Sequence, residues 1–265
     1  MSRMMTQAAV TMGQLQQRLD LIANNMANTN TSGYKAQTSN FSSLLYQQMN
    51  NPPNDEANTT SRSTSDGIRI GSGAYMSSTN PLMTMGTIQT TDRNLDAALV
   101  NDNQYFTITG ENGEQLYTRA GNFYLQPQQD GTVALTTAEG NLVNGVDGPI
   151  ALRPDFDSIT INDRGEIVVE RNGVNAVEAN LQITAIDNPR VLTRTGDTAF
   201  ELADPALAQA LNAGEVELQA GSLEGSNVDL SEQMTAMVNT QRAYQFNARS
   251  ISMSDQMSGL INQIR

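Results

Sequence analysis

Residues 1–28, MSRMMTQAAVTMGQLQQRLDLIANNMAN, carry a strict apolar repeat. The apolar side chains alternate at spacings of four and three residues: Met1, Met5, Ala8, Met12, Leu15, Leu19, Ile22 and Met26. This heptad spacing is typical of a coiled-coil seam and predicts a helix over residues 2–27, about 39 Å long at 1.5 Å per residue. The polar, turn-forming residues 28–33 predict its end. The alternative is a surface helix of a globular domain.

The C-terminal residues 223–265 repeat this arrangement. Asp229 and Glu232 have the spacing of a capping box, which predicts a helix start. One stripe then follows the heptad spacing: Leu230, Met234, Met237, Gln241, Tyr244, Ala248 and Ile251. A second stripe lies beside it: Phe246, Met253, Met257, Leu260 and Ile264. Two adjacent stripes indicate a helix that contacts more than one partner, and flexible methionine side chains suit such repacking surfaces.

The chain between the two helices has the pattern of loop and β structure. Residues 35–66 are polar around an apolar island at residues 41–46, which predicts a linker or partly ordered arm. Residues 67–222 contain regular turn signals such as Asn112-Gly113 and Asn172-Gly173. Short strands are predicted between these turns, over residues 105–109, 115–119, 132–136, 158–162 and 166–170, with one or two more in 180–202 and a short helix in 205–211. We therefore expect an α+β protein with four parts: residues 1–34, 35–66, 67–222 and 223–265.

Composition and charge exclude several classes of function. The 265 residues include no Cys, His or Trp, so neither disulfides nor the usual histidine base or zinc ligands are available. The formal net charge is −13, and all of it lies in the middle of the chain because the two ends cancel. Such an acidic body disfavours nucleic acid and anionic membrane surfaces as partners. No apolar run is long enough for a membrane-spanning helix, and the first residues are too polar for a cleavable signal peptide.

Acidic side chains provide the remaining candidates for chemistry. The pairs Glu111 with Glu114 and Glu215 with Glu217 are candidate glycosidase acids. Residues 155–157 and 162–163 are candidates for weak calcium binding, but the spacing of an EF-hand loop is missing. In so acidic a segment such groups arise by chance, and we expect ordinary solvated surface, without a catalytic site, metal or cofactor.

Several ordered motifs carry a resemblance to a known family. Residues 21–35, LIANNMANTNTSGYK, resemble the N-terminal signature of flagellar rod and hook proteins, and residues 225–234, GSNVDLSEQM, with 241–244, QRAY, resemble the C-terminal one. Residues 95–99 and 117–123, LDAAL and YTRAGNF, are similar to the central hairpin of that family. The matching motif residues are Asn24, Asn25, Ala27, Asn28, Gly33, Tyr34, Ser226, Asn227, Val228, Asp229, Gln241, Arg242, Ala243 and Tyr244.

Two further stretches bear on which type of rod protein, distal, proximal or junction, the chain resembles. Residues 41–46 and the GIRIGSG run at 67–73 are most similar to the distal-rod branch of the family. Residues 101–106, NDNQYF, depart from it, because the family has a small residue, a glycine and two aromatics there. The distal, proximal and junction subtypes therefore stay open.

The resemblance implies a structural, non-enzymatic rod subunit. Its terminal helices would pair as a coiled coil lining a hollow helical tube, with the β domain outside. Self-association would use Met12, Leu15, Leu19, Ile22, Met26, Leu230, Met234, Met237, Tyr244, Ala248 and Ile251. The implied partners are further copies, other rod and hook subunits and the flagellar type III export apparatus, and the implied location is the basal body outside the cytoplasmic membrane. The alternatives are a secreted binding module or adhesin with dimerising helices and a carboxylate-based wall hydrolase.

Overall fold

The computed structural model describes residues 2–43, 46–49, 68–71, 74–110, 112–211 and 216–264. The chain forms two compact units. The first unit comprises residues 1–24, 38–80 and 231–265, and the second comprises 25–37 and 81–230.

Both predicted terminal helices are present. Helix α1 covers Ser2–Ala27 and helix α2 covers Leu230–Ile264. Helix α1 ends where the polar residues begin, and the Thr29 N–H donates to the Met26 carbonyl to close the last turn. Helix α2 begins directly after Asp229 and is about 52 Å long at 1.5 Å per residue. Among the described residues, no helix is both long and apolar enough to cross a membrane.

The strands of the first unit lie in the segment that follows helix α1. They are β1 (Gln37–Ser43), β2 (Tyr46–Met49), β3 (Ile68–Gly71) and β4 (Ala74–Pro81). Strand β1 pairs with β4, and β2 pairs antiparallel with β3. The polar segment 35–66, expected to be a linker or partly ordered arm, thus contains two strands. Residues 44, 45 and 50–66 of that segment lie outside the described residues.

The second unit contains mostly short strands. They are β5 (Ile88–Thr90), β6 (Ala97–Leu99), β7 (Gln104–Thr109), β8 (Gln115–Thr118), β9 (Tyr124–Pro127), β10 (Val133–Thr136), β11 (Leu142–Gly145), β12 (Gly148–Pro149), β13 (Ala151–Leu152), β14 (Ser158–Ile161), β15 (Glu166–Arg171), β16 (Val174–Asn180), β17 (Ile183–Ala185), β18 (Leu192–Arg194), β19 (Ala199–Leu202), β20 (Gln209–Ala210), β21 (Leu218–Ala220) and β22 (Ser222–Glu224). The main sheet has the order β13-β10-β11-β7-β8-β19-β18, and β14, β15 and β16 form a separate meander. The predicted antiparallel pairing is confirmed in both.

The turn signals lie between the strands that they were predicted to connect. Asn112-Gly113 joins β7 to β8, and Asn172-Gly173 joins β15 to β16. Asn172 and Gly173 have φ values of 51° and 76°, as the tight turn of a two-residue hairpin requires. Region 180–202 holds three strands, more than predicted, and the predicted helix in 205–211 is a single 3₁₀ turn at Pro205–Leu207.

The core of the second unit covers both faces of β7. On one face, Phe106 and Ile108 belong to the larger apolar cluster, and the Phe106 ring meets Phe123 edge-to-face at 5.1 Å. On the other face, Tyr105 joins a smaller cluster with Tyr117 and Phe200. Burial on both faces makes β7 the central strand of the unit.

Strands β21 and β22 bring the chain back to the start of this unit. Strand β21 pairs with β6, and β22 pairs with β5. Residues 218–224, which immediately precede helix α2, therefore lie beside residues 88–99.

Candidate assembly site

Three charged side chains from distant parts of the chain meet inside the second unit. Lys35, Arg119 and Glu224, here called the ion cluster, have fully buried side chains. Lys35 Nζ lies 2.6 Å from Glu224 Oε1, and an Arg119 terminal nitrogen lies 2.7 Å from Glu224 Oε2. The Gly86 N–H donates a further hydrogen bond of 2.8 Å to Glu224 Oε1. Both oxygens of the carboxylate are thereby satisfied, as burial of a charge requires.

Each member of the ion cluster lies in or beside one of the sequence motifs. Lys35 is the last residue of the N-terminal motif, Arg119 lies in the central motif directly after β8, and Glu224 ends β22 next to the C-terminal motif. Gly33 brings the first of these close to the second: its φ is 71°, and a Cβ there would overlap the backbone of Ala120. The predicted turn role of Gly33 is confirmed by this geometry.

The cluster places two cations around one carboxylate. Arg119 Nη1 donates to the carbonyls of both Asn101 and Gln104, and these two hydrogen bonds hold the polar turn at 101–104. Burial lowers the pKa of Lys35, and the carboxylate of Glu224 opposes that shift. Burial also raises the pKa of neighbouring Tyr105 to about 12. Losing the carboxylate of Glu224 would leave two buried cations without a counter-charge, which typically destabilises by about 3–5 kcal/mol.

Asn25 joins the end of helix α1 to the segment that follows. The Asn25 side chain is buried. Its Oδ1 accepts hydrogen bonds from the Tyr34 hydroxyl at 3.1 Å and from the Gln37 N–H at 2.9 Å. Its Nδ2 donates to the Gln37 carbonyl. The guanidinium carbon of Arg194 stacks over the Tyr34 ring, 4.4 Å from its centroid. The motif asparagine thus connects the end of the helix to a backbone position twelve residues further along the chain.

Asn227 plays the corresponding part in the C-terminal motif. Its Nδ2 lies 2.7 Å from the Leu82 carbonyl and 3.0 Å from the Thr84 carbonyl, and its Oδ1 accepts from the Ala36 N–H at 2.7 Å. Lys35 Nζ donates to the same Thr84 carbonyl at 2.7 Å. Residues of both terminal motifs therefore hold the irregular segment 82–87.

The remaining motif residues have lesser local roles. Asn28 accepts from the Thr31 hydroxyl at 3.0 Å, and Ser226 accepts from the Val228 N–H at 3.3 Å. On the helices, Asn24, Ala27, Gln241 and Arg242 are exposed, as is Asp229, whereas Ala243 and Tyr244 are half-buried.

The predicted seam of helix α1 is largely covered. Ile22 is buried, and the other four predicted contact residues of this helix are half-buried: Met12, Leu15, Leu19 and Met26. Leu15 and Arg18 line a groove of about 550 Å³ together with residues of helix α2.

The face of helix α2 that lines this groove differs from the predicted self-association seam, which stays a prediction. It consists of Ser231, Glu232, Thr235, Ala236, Asn239, Thr240 and Ala243, and Thr240 is the buried member. Of the predicted α2 seam, Leu230 and Met234 are exposed, and Met237, Tyr244, Ala248 and Ile251 are half-buried. Leu15 is the only predicted seam residue on the groove lining.

The second apolar stripe of helix α2 is exposed. Phe246 is 69% exposed, Leu260 is 60%, and Met253 and Met257 are 56% and 57%. Ile261 extends this apolar surface. Here it is called the α2 stripe: Phe246, Met253, Met257, Leu260 and Ile261.

The candidates for chemistry lie in turns or outside the described residues. Asn162 Oδ1 accepts from the Arg164 and Glu166 N–H groups, and Asp157 accepts from the Asn172 N–H. These contacts build turns. Glu111 and Glu215 lie outside the described residues, so the geometry of neither acid pair is described. Over the described ranges, no three acidic side chains converge as a metal site would need.

Sequence reasoning missed the ion cluster. Lys35 is the only lysine in the chain and Glu224 adjoins a motif, but neither fact identifies its partner. Arg119 lies 84 residues from Lys35 and 105 from Glu224 in sequence, and a buried charge has no periodicity that a pattern search detects.

Comparison with known proteins gives one consistent result along the chain. Residues 1–35 match the model "Flagella basal body rod protein", 99–169 match "Flagellar hook protein FlgE/F/G D1 domain", and 219–264 match "Flagellar basal body rod FlgEFG protein C-terminal". The chain is similar to the flagellar hook-basal body complex protein FlhP of Bacillus subtilis, with 39% identity over the full length of both. It is 30% identical to the flagellar basal-body rod protein FlgG of Borreliella burgdorferi over all of this chain and 99% of that protein. It is 32% identical to FlgG of Agrobacterium fabrum over 97% of each. Full-length identity at this level, together with the placement of the three motifs around one buried cluster, shows that the chain belongs to the flagellar basal-body rod protein family.

Proposed function

We propose that this protein is a structural subunit of the bacterial flagellar basal-body rod and that it polymerises helically through its terminal helices. The relatives are named as basal-body rod or hook-basal body proteins, which supports a role in the shaft between motor and hook. Several of them are named FlgG, which supports a distal-rod type of subunit.

The observation that carries this proposal is the α2 stripe. Phe246, Met253, Met257 and Leu260 all expose more than half of their side-chain surface on one helix. Soluble monomers seldom leave so much contiguous apolar surface in water, and such patches mark sites of association. Burying one such side chain between subunits contributes about 1.5–3 kcal/mol.

The distribution of apolar residues supports an open, helical mode of association. The predicted α2 seam residues Leu230 and Met234 are exposed as well, on a different side of the helix from the α2 stripe. Two exposed surfaces on one helix allow contact with two different neighbours, and such heterologous contacts generate filaments. We propose that helices α1 and α2 pair as a coiled coil in the polymer, with the seam residues at the contacts.

The remaining features of the proposal concern partners and location. The subunit joins other rod and hook subunits, leaves the cell through the flagellar type III export apparatus, and functions outside the cytoplasmic membrane. The full-length likeness to rod proteins gives no support to the adhesin alternative.

Deletion of the gene tests the proposal directly. We expect loss of swimming on motility plates and, by electron microscopy of isolated basal bodies, truncated rods without hook or filament. The truncation point identifies the missing rod segment. Complete basal bodies in the deletion strain, with no rod paralogue produced at a raised level in its place, would refute the structural role.

A further inference from the structure

We propose that Met253 and Met257 form an oxidation site, at which a hydroperoxide converts the two thioethers to sulfoxides and thereby stops the free subunit from assembling. The inference rests on the proposed rod function and adds a covalent modification that controls the α2 stripe. We call Met253 and Met257 the methionine pair.

Methionine is the side chain of this protein that a hydroperoxide attacks most readily. The 265 residues include no Cys, His or Trp, so no thiol competes for the oxidant. The chain contains 13 methionines. An oxidant that reaches the subunit therefore reacts with thioether sulfur, and the accessible thioethers react first.

The methionine pair is accessible and lies on one face of helix α2. Met253 and Met257 each expose more than half of their side-chain surface. They are four residues apart, which places them on neighbouring turns of the same face. Phe246 lies two turns before Met253 on that face, and Leu260 lies one turn after Met257. Oxidation of the pair therefore changes the middle of the α2 stripe.

The other methionines with described side chains are covered or lie outside the stripe. Met83 is buried in the apolar cluster of Tyr105 and Phe200. The half-buried ones are Met5, Met12, Met26 and Met237. Met234 is exposed in the predicted seam, and Met85 is exposed in the second unit, away from helix α2. Met83 thus serves as a protected reference and Met85 as an accessible control.

The oxidation is a balanced transfer of one oxygen atom. A lone pair on the methionine sulfur attacks one oxygen of hydrogen peroxide, and the O–O bond breaks. The attacked oxygen stays on the sulfur, and the other oxygen takes up the proton and leaves as water. The sulfur is oxidised by two electrons and the peroxide is reduced by the same two electrons.

The product has the wrong polarity for a contact between subunits. A sulfoxide oxygen is a polar acceptor, and burying it without a donor is unfavourable. Association through the α2 stripe would bury two such oxygens on neighbouring turns of one helix. In the free subunit both oxygens stay in water, so the fold is retained. Oxidation therefore blocks assembly without unfolding the subunit.

Peptide mass mapping after brief treatment with hydrogen peroxide tests the accessibility of the site. In the purified full-length subunit, we expect Met253 and Met257 to gain an oxygen at least about tenfold faster than Met83. In isolated basal bodies, the pair should react as slowly as Met83, because neighbouring subunits cover it. Equal rates for all three residues in the free subunit, or undiminished oxidation of the pair in basal bodies, would overturn the proposal.

Glutamine substitution tests the effect on assembly, since glutamine carries a polar oxygen at a similar distance from the backbone and is as good a helix former as methionine. In the deletion strain, Met253→Gln/Met257→Gln should reduce the yield of complete rods and the swimming rate by about tenfold or more. The thermal midpoint of the purified variant should equal that of the parent.

Two control variants should assemble normally. Met253→Leu/Met257→Leu keeps the apolar volume and removes the oxidisable sulfur. Met85→Gln introduces the same polarity at an exposed position outside the stripe. Normal rods from the glutamine double variant, or loss of rods from either control, would refute the oxidation site and leave the rod function intact. That function itself fails only if the deletion strain builds complete rods.

Discussion

Lys35 and Glu224 form an ion pair of 2.6 Å with both side chains fully buried, although 189 positions separate them in the sequence. The pair ties the segment after helix α1 to the strand that precedes helix α2. In a family whose motifs lie at the two ends of the chain, this contact explains how both ends reach one place in the fold. Arg119 of the central motif completes the arrangement.

Removing the carboxylate should be strongly destabilising. In Glu224→Gln, Lys35 and Arg119 stay buried without their counter-charge, and we expect a loss of about 3–5 kcal/mol in the free energy of unfolding. Urea denaturation followed by circular dichroism measures it. Glu217→Gln, at an exposed position just before β21, is the matched control and should stay within about 0.5 kcal/mol of the parent. Equal stability of the two variants would show that the ion cluster is dispensable.

Gly33 should tolerate no side chain. Its φ of 71° disfavours other residues, and a Cβ would overlap the Ala120 backbone, so Gly33→Ala combines strain with a steric clash. Gly113→Ala separates the two effects, because Gly113 has a φ of 81° with open space around it. We expect Gly113→Ala to cost about 1 kcal/mol and Gly33→Ala clearly more, measured by thermal unfolding. Similar losses in both would mean that the backbone near residue 120 moves aside.

Ionisation of Tyr105 should lower the free energy of unfolding at alkaline pH. Burial raises its pKa to about 12, whereas the tyrosine of the unfolded chain ionises near 10. Between these values the folded state retains a proton that the unfolded state has lost, so stability falls as pH rises from 10 to 12. Tyr105→Phe should reduce that fall by about 2–3 kcal/mol. Burial lowers the pKa of Lys35 below its ordinary value of 10.5. Just below pH 10.5 the unfolded chain therefore binds more protons than the folded protein, so stability rises with pH there. This effect has the opposite sign to that of Tyr105 and occurs at lower pH. Identical pH profiles for the parent and Tyr105→Phe would contradict the assignment.

The only lysine should resist chemical labelling in the folded protein. Because the Lys35 side chain has no exposed surface, an amine-reactive ester should modify it only after unfolding in urea. Peptide mass mapping before and after denaturation gives the readout. Rapid labelling under native conditions would show that the ion pair opens readily.

The α2 stripe should be needed for assembly and not for folding. Phe246 is 69% exposed, so Phe246→Asp should leave the melting temperature of the monomer unchanged while abolishing rod assembly and swimming. Gln245→Asp, at the exposed neighbouring position, introduces the same charge outside the stripe and should assemble normally. If Phe246→Asp built normal rods, the stripe would face solvent in the polymer.

Local pattern was sufficient to predict the two terminal helices and several hairpins of this chain. The heptad repeat predicted residues 2–27 as a helix, and helix α1 has those bounds. The dipeptides Asn112-Gly113 and Asn172-Gly173 predicted two hairpins that are present. Both signals depend on residues within a few positions of one another, so a linear sequence displays them fully.

Which face of helix α2 a neighbouring element covers could not be predicted from the sequence, for a physical reason. The sequence shows two apolar stripes, but it does not show which one a neighbouring element covers. In the structure the groove with Leu15 is lined by small and polar side chains such as Thr235 and Thr240, and the α2 stripe is left exposed. Coverage depends on the position of other elements, which apolar periodicity alone does not encode.

By itself, the sequence determined the terminal helices, the antiparallel β body and membership of the rod family, because these follow from short-range periodicity, turn chemistry and contiguous motifs. Only the tertiary structure decided that Lys35, Arg119 and Glu224 form one buried cluster and that Asn25 and Asn227 brace the backbone around it. Those contacts join residues far apart in the chain, and their energy depends on burial, which exists only once the sheets have closed around them.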